Sequence, residues 1–402
     1  MKTPIIAALT AVLLSGCAST YASDARGPIA SAPAAAATSD VELTMPPVAR
    51  TPEDQNVLFW NTEQRSERFR DMENWFAGYE VPAAAKVREL PAGEPLPAAL
   101  EARIAALVKE TGAAGVMVLE GGKVRHETYG LGFDDTQRWT SFSVAKSFTS
   151  TLLGAAIRDG DIASLQDSVS KYIPEMAGTP YQDVTVEQLA TMTSGIRWNE
   201  DYSDPKSDVA RMSEYIGAPG QDAIVNQLKT LPREAPAGEK WVYKTGETNL
   251  LGVLVERATG KSLAAYAKEK IVDPAGFEAP MFWMVEPSGR NIGGCCLSLR
   301  LADYARMGQF VLEGGGETVP DGWFAEATAP QVKFGDTGFG YGYQWWTYPA
   351  GTYGAQGIFG QAITIVPQRE LVVAVVSNWP TATTRDYRAK WQAVIAEIAA
   401  AR

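Results

Sequence analysis

Strand-like segments stand at both ends of the folded part of this chain, and helical ones fill its middle. The late apolar run Leu371–Ser377 needs partners. The early segments Val116–Glu120 and Lys123–Tyr129 read as a hairpin, because Gly121-Gly122 is a two-residue turn that tolerates positive φ. Together they point to one antiparallel sheet built from both termini, with a helical part inserted between them. A helix is expected over Pro97 to Thr111, where Leu100, Ile104 and Leu107 share a face and Gly112 stops it. From Phe142 to Asp159 the period is again helical: Val144, Phe148, Leu152 and Ala156 recur every fourth residue, and Gly160 occupies the C-terminal cap position. Strands are expected again over Gly342–Tyr348 and Ile363–Val366, and a last helix from about Thr384. The fold class expected is α/β of the α+β type, an antiparallel sheet flanked by helices. Its sheet lobe takes residues of about 95–140 and 336–402, and a mainly helical lobe about 141–335.

The 402 residues are nearly half apolar, enough for a sizeable core in one large unit or two packed lobes. A formal net charge of −11, with no long basic run, argues against nucleic acid as a partner. The first sixteen residues read as an export signal: Lys2, then the apolar stretch Ile5 to Leu14, too short to span a bilayer. It ends in Leu14-Ser15-Gly16-Cys17, similar to a bacterial lipoprotein cleavage box. That similarity implies cleavage before Cys17, lipidation of Cys17 and membrane anchoring on the periplasmic side of the cell envelope. Ala18 favours the outer membrane if the source is Gram-negative. Residues 17–50, rich in Ala, Ser, Pro and Thr, read as a flexible tether, with the folded domain over 51–402. Cys295 and Cys296 are adjacent and read as two small buried apolar side chains. With a single His, the chain offers no Cys/His zinc site, and neither metal nor cofactor is expected.

Chemistry concentrates in Ser143-Val144-Ala145-Lys146, at the start of the helix ending at Gly160. Spacing i, i+3 puts hydroxyl and ammonium on one helical face. A serine alcohol needs a nearby base, and lysine serves only when neutral, so its pKa of about 10.4 must fall. Burial and the helix N-terminus both push it down. The backbone N–H of Ser143 is placed to receive an oxyanion. Two other segments share the spacing, Ser168 to Lys171 and Ser203 to Lys206. The first runs into Pro174, the second contains Pro205, and neither opens a long apolar-faced helix.

This motif after a hairpin resembles the serine β-lactamase and penicillin-binding protein superfamily, within it the branch of class C β-lactamase-like esterases and 6-aminohexanoate-dimer hydrolases. The likeness covers about residues 95 to 400. It also rests on Val184-Thr185-Val186-Glu187-Gln188-Leu189 with Met192-Thr193-Ser194-Gly195, on Pro236-Ala237-Gly238-Glu239 before Tyr243, and on Leu250-Leu251-Gly252 to Ala258-Thr259-Gly260. The resemblance implies that Tyr243 shuttles a proton between nucleophile and leaving group, its phenol pKa lowered by Lys146. Thr245 stands where the family has Asn, as a substrate-binding residue without the amide. The third motif aligns with Ala355-Gln356-Gly357, with Gln356 and Gly357 in substrate binding and the Ile358 amide completing the oxyanion hole. The family's third-motif Lys is absent there, which argues against an efficient β-lactamase.

The expected activity is therefore hydrolysis of small esters or linear amides through an acyl-enzyme on Ser143. Two readings stay beside it: a β-lactamase or DD-peptidase acting on β-lactams or peptidoglycan peptides, and a non-catalytic binding lipoprotein. No Gly-x-Ser-x-Gly elbow or Gly-rich phosphate loop exists, and His126, mid-strand, reads as a structural side chain. The aromatic cluster from Trp323 to Trp346 reads as core, with some members walling a cleft.

Overall fold

The computed structural model describes residues 41–215 and 221–401. The expected signal segment, Cys17 and most of the tether lie outside the described residues. Helix α1 (Ala98–Thr111) follows Pro97 and ends at Gly112 in the left-handed region. It leads into strands β1 (Ala113–Glu120) and β2 (Lys123–Tyr129), which pair across Gly121 and Gly122, both at positive φ. Short strands β3 (Val332–Lys333), β4 (Gly340–Tyr341) and β5 (Trp346–Thr347) come next. Then follow β6 (Tyr353–Gln356), β7 (Ala362–Val366) and β8 (Leu371–Ser377). The sheet order is β2-β1-β8-β7-β6-β5-β4-β3, and every pairing is antiparallel. Strand β8 thus joins the early hairpin to the late strands, as the sequence implies.

Both faces of its centre are covered, so β8 reads as an unbroken apolar run rather than an alternating one. Val116, Val118, Val373 and Val375 pack with Leu100 and Ile104 of α1 and with Trp391 and Ile395 near the C-terminus. Met117, Leu119, Val372 and Ala374 face the larger core. On that side Gly308 of the helix Leu301–Leu312 lies flat on the sheet. A Cβ there would overlap Val372 Cγ1 and sit 2.9 Å from Ile363 Cγ2. Gly308→Ala is therefore expected to cost about 1–3 kcal/mol through overpacking, outweighing its gain in helix propensity. A lower denaturation midpoint would show it; an unchanged or higher one would mean the sheet yields freely.

The structure corrects four sequence-based expectations. A second, five-stranded sheet is formed by Glu42–Thr44, Gly78–Val81, Met281–Met284, Leu297–Leu299 and Trp139–Thr140. Folded structure therefore begins inside the expected tether, because Glu42–Thr44 finds an edge at Gly78–Val81. Gly342–Tyr348 is not one strand: Gln344 takes a left-handed φ of 63° and turns the chain between β4 and β5. Cys295 and Cys296 are not separate thiols but are joined as a disulfide. An extended chain would point neighbouring side chains to opposite faces; here Cys296 has a left-handed φ of 77°.

Helix α2 (Ala145–Asp159) runs through the middle and ends at the left-handed Gly160. Its polar face is as buried as its apolar one. Ser147 and Ser150 donate to the carbonyls of Gln344 and Tyr343, at 2.8 and 2.6 Å, and Thr149 donates to Gly293 O at 2.6 Å. What looks like a solvent face serves instead to satisfy the backbone of two irregular segments. Helix α3 (Thr245–Thr259) packs against it.

Candidate active site

The first turn before α2 is a 3-10 turn, Phe142–Val144, with Phe142 at a φ of 43°, sparsely populated for a residue with a side chain. Ser143 therefore sits two positions before the α-helix and Lys146 in its first turn. Lys146 is 1% exposed, and its Nζ donates to Ser143 Oγ at 3.1 Å, Thr245 Oγ1 at 3.0 Å and Gly294 O at 2.7 Å. Burial brings its pKa down to about 8, against the opposing pull of Glu200.

Tyr243 flanks the pair. Lys146 Nζ lies 5.2 Å from its ring centroid, and Trp346 stacks on that ring at 5.6 Å. Trp241 and Tyr341 complete an aromatic wall, so part of the expected aromatic cluster does line the site. The expectation of a lowered phenol pKa is corrected. Burial, then the charge of Glu200, push it up, and contact with Ser143 and the charge of Arg388 offset this only in part. A phenol so held stays protonated, the form that can act as an acid.

Thr245 is also corrected. Its side chain is 4% exposed and turned inward, receiving Lys146 and donating to Glu200, while its amide donates to Glu200 Oε2 at 2.9 Å. Glu200, which sequence reasoning missed, further accepts from Trp198 and, at 2.7 Å, from Tyr202. No motif surrounds it; an acid between two aromatic residues in a polar loop is the only trace. Gly294, equally unforeseen, acts through its carbonyl.

Gly357 follows β6 and packs its backbone on the turn that carries Ser143. A Cβ there would lie 2.5 Å from Ser141 O and 3.2 Å from Phe142 Cβ. Ser143 and Ile358 both stand in opening 3-10 turns, Phe142–Val144 and Ile358–Gly360, where the first amides lack partners within the turn. The Gln356 side chain is committed to the Tyr348 hydroxyl. Arg388, not anticipated, donates to Gly357 O at 3.3 Å and sets a cation beside the third motif. The two decoys stay outside: Lys171 pairs with Asp167 at 2.9 Å, and Lys206 is exposed. His126 pairs with Glu101 of α1, 2.6 Å away.

A serine and a desolvated lysine at the mouth of a central helix, with a phenol beside them, define a serine hydrolase of the β-lactamase type. The family model described as Beta-lactamase matches residues 100–397, and the chain belongs to that family. It is 31% identical to the 6-aminohexanoate-dimer hydrolase of Paenarthrobacter ureafaciens over 355 residues, 81% of this chain and 89% of that enzyme. It is 29% identical to esterase EstB of Burkholderia gladioli over 36% of this chain and 38% of the esterase. Among solved structures, a Bacillus anthracis protein provisionally called a 6-aminohexanoate-dimer hydrolase superposes with a TM-score of 0.76 at 20% identity. That match covers 88% of this chain and 98% of the other. A class C β-lactamase bound to cefoxitin gives 0.57 at 17%, covering 74% and 97%. These two show the shared fold. The chain is an enzyme, a hydrolase of this superfamily.

Proposed function

We propose that this protein hydrolyses small esters and linear amides through an acyl-enzyme on Ser143. The observation that carries the reading is the 3.1 Å approach of Lys146 Nζ to Ser143 Oγ in surroundings that bring the lysine pKa to about 8. Neutral Lys146 takes the Ser143 proton as Oγ attacks the substrate carbonyl carbon. The amides of Ser143 and Ile358 receive the developing oxyanion. Tyr243 gives its proton to the departing alcohol or amine and recovers one through Lys146. Water then attacks the acyl ester with the same base and releases the acid. A relative named for the 6-aminohexanoate dimer and another named an esterase support this range of substrates.

Ser143→Ala is expected to abolish turnover of a p-nitrophenyl ester above the solution background, and retention of full turnover would overturn the assignment. Arg388 beside Gly357 supports a second reading, on β-lactams or peptidoglycan peptides. A stable Ser143-dependent label from fluorescent penicillin selects that reading, and no label selects the first.

The segment around Cys17 supports lipid anchoring at the periplasmic face of the envelope. Cys17→Ala is expected to move the protein from the membrane fraction to the soluble one. If the variant and the parent fractionate alike, the anchor is lost as an explanation.

A further inference from the structure

The strip from Gly294 to Leu297 touches both sides of the Ser143–Lys146 pair. The Gly294 carbonyl accepts from Lys146 Nζ at 2.7 Å, and its amide donates to Asn249 Oδ1 of α3 at 2.7 Å. Further along, the Cys296 amide donates to Phe142 O at 3.4 Å, directly before Ser143. The Leu297 amide donates to Ser141 Oγ at 3.0 Å, and Leu297 O accepts from the Ser141 amide at 2.7 Å. One end of the strip therefore holds the lysine, and the other holds the turn that carries the serine. The residues joining those ends are Cys295 and Cys296, bonded to each other.

A disulfide between neighbours closes a small ring through their own peptide bond. The ring restricts ψ of Cys295 and φ of Cys296, and with them the direction from one anchor to the other. Cys296 stands at a φ of 77°, in the left-handed region that a residue with a β-carbon avoids when free to choose. Phe142, which it holds, is itself at a φ of 43°. Outside the pair the strip is braced. A Cβ on Gly294 would lie 2.7 Å from Asn249 Oδ1, so its backbone lies flat against α3, and Leu297 is paired with Phe282–Trp283 in the second sheet. Opening the ring therefore acts where bracing is least, on Cys296 and on the turn Phe142–Val144. Cys296 is 2% exposed but Cys295 is only half-buried, so a thiol approaches from the Cys295 side.

We propose that Cys295 and Cys296 form a thiol–disulfide switch on catalysis: closed, the pair holds Ser143 in register with Lys146; opened by a dithiol, it releases the turn that carries Ser143. The inference rests on the acyl-enzyme reading and adds its regulation. A thiolate of the dithiol attacks Cys295 Sγ, the bond between the two sulfurs breaks, and Cys296 leaves as a thiolate that takes up a proton. The second thiolate of the dithiol then attacks its own partner sulfur in the mixed disulfide and releases Cys295, which is protonated in turn. The protein gains two electrons and two protons, and the dithiol departs as a disulfide. Reducing compartments keep the pair open; an oxidising one, such as the proposed site of anchoring, closes it.

The test measures kcat and KM of the full chain for a p-nitrophenyl ester, before and after dithiothreitol and again after reoxidation with oxidised glutathione. Mass mapping of alkylated Cys295 and Cys296 verifies each state. Reduction is expected to lower kcat by about 10- to 100-fold, as misplacement of a reacting group by about an ångström does, with KM changed less and kcat restored on reoxidation. Cys295→Ser with Cys296→Ser should resemble the reduced protein and ignore dithiothreitol. Cys295→Ser with Cys296→Gly should turn over severalfold faster than the serine pair, because glycine takes the left-handed backbone without a disulfide. A cross-link that merely adds stability would move the melting profile and leave kcat at assay temperature alone. Full kcat after verified reduction, a pair that opens only on unfolding, or equal kcat in the glycine and serine variants would each overturn the switch and leave the acyl-enzyme standing. No turnover of any ester by the oxidised protein overturns both.

Discussion

Replacing Lys146 with methionine is expected to lower kcat/KM for a p-nitrophenyl ester by about 10³- to 10⁴-fold. Methionine keeps the unbranched stem of a side chain that is 1% exposed, so packing around it is largely preserved. What it removes is the amine that lies 3.1 Å from Ser143 Oγ and is proposed to take its proton. It also leaves Gly294 O without its donor. Retention of more than about a tenth of parental activity, with an unchanged melting profile, would exclude Lys146 as the base.

The same residue sets a pH dependence. A base must be unprotonated to act, and the Lys146 pKa is near 8. The kcat/KM should therefore climb with pH, tenfold per unit below about 8, and flatten above it. The groups facing Lys146 are Ser143, Thr245, the Gly294 carbonyl, the Tyr243 ring and, through its charge, Glu200. Of these only Glu200 carries a charge that favours the ammonium, so Glu200→Gln should shift the rising limb to lower pH. A shift to higher pH would contradict the sign.

How much of this was legible depends on whether a signal is local. Leu371–Ser377 is recovered to the residue because both its faces are buried and Glu370, left-handed at φ 47°, marks its start. Gly112 and Gly160 mark their helix ends for the same kind of reason: each takes a left-handed φ. The small second sheet had no such signature. Its strands are two to four residues long and come from five distant segments, too short for a period of two to register. At Gln344 a tertiary demand wins. Its side chain donates to Ala190 O at 2.7 Å and accepts from Thr248 at 2.7 Å, holding the chain in a turn where the residues alternate like a strand.

The candidate site divides along the same line. Ser143 and Lys146 were legible because one helical turn fixes their relation, and Tyr243 because a family motif surrounds it. Glu200 and Gly294 were not, since the contacts that matter join segments far apart and one of them is a backbone carbonyl. Tyr243 shows a different limit. Sequence places a cation near a phenol and implies a lowered pKa; burial, visible only in three dimensions, outweighs it. A phenol held protonated supports the proposed division of labour, in which Lys146 accepts and Tyr243 donates.

Gly357→Ala is expected to reduce kcat by about 10²- to 10³-fold, the loss that follows removal of one oxyanion donor. The backbone at Gly357 is extended, φ −124°, so alanine meets no conformational penalty there. The penalty is contact: its Cβ would fall 2.5 Å from Ser141 O and 3.2 Å from both Phe142 Cβ and Gln361 Cβ. Ser141 cannot give way, because its amide donates to Leu297 O at 2.7 Å and its hydroxyl accepts from Leu297 N at 3.0 Å. Gln361 is equally fixed, bonded to Ile358 O and Ser377 O at 3.0 and 2.9 Å and accepting from Ser377 N at 2.8 Å. The end of β6 must then lift away from the turn bearing Ser143, carrying the Ile358 amide out of reach of the reacting carbonyl. Since the ground-state ester needs that amide less than the oxyanion does, KM should change less than kcat. Phosphonylation of Ser143 by a fluorophosphonate, in which Oγ bonds phosphorus, fluoride leaves and a similar charge builds on a phosphorus-bound oxygen, should slow in parallel. Parental kcat in a folded Gly357→Ala protein would remove Ile358 from the oxyanion hole.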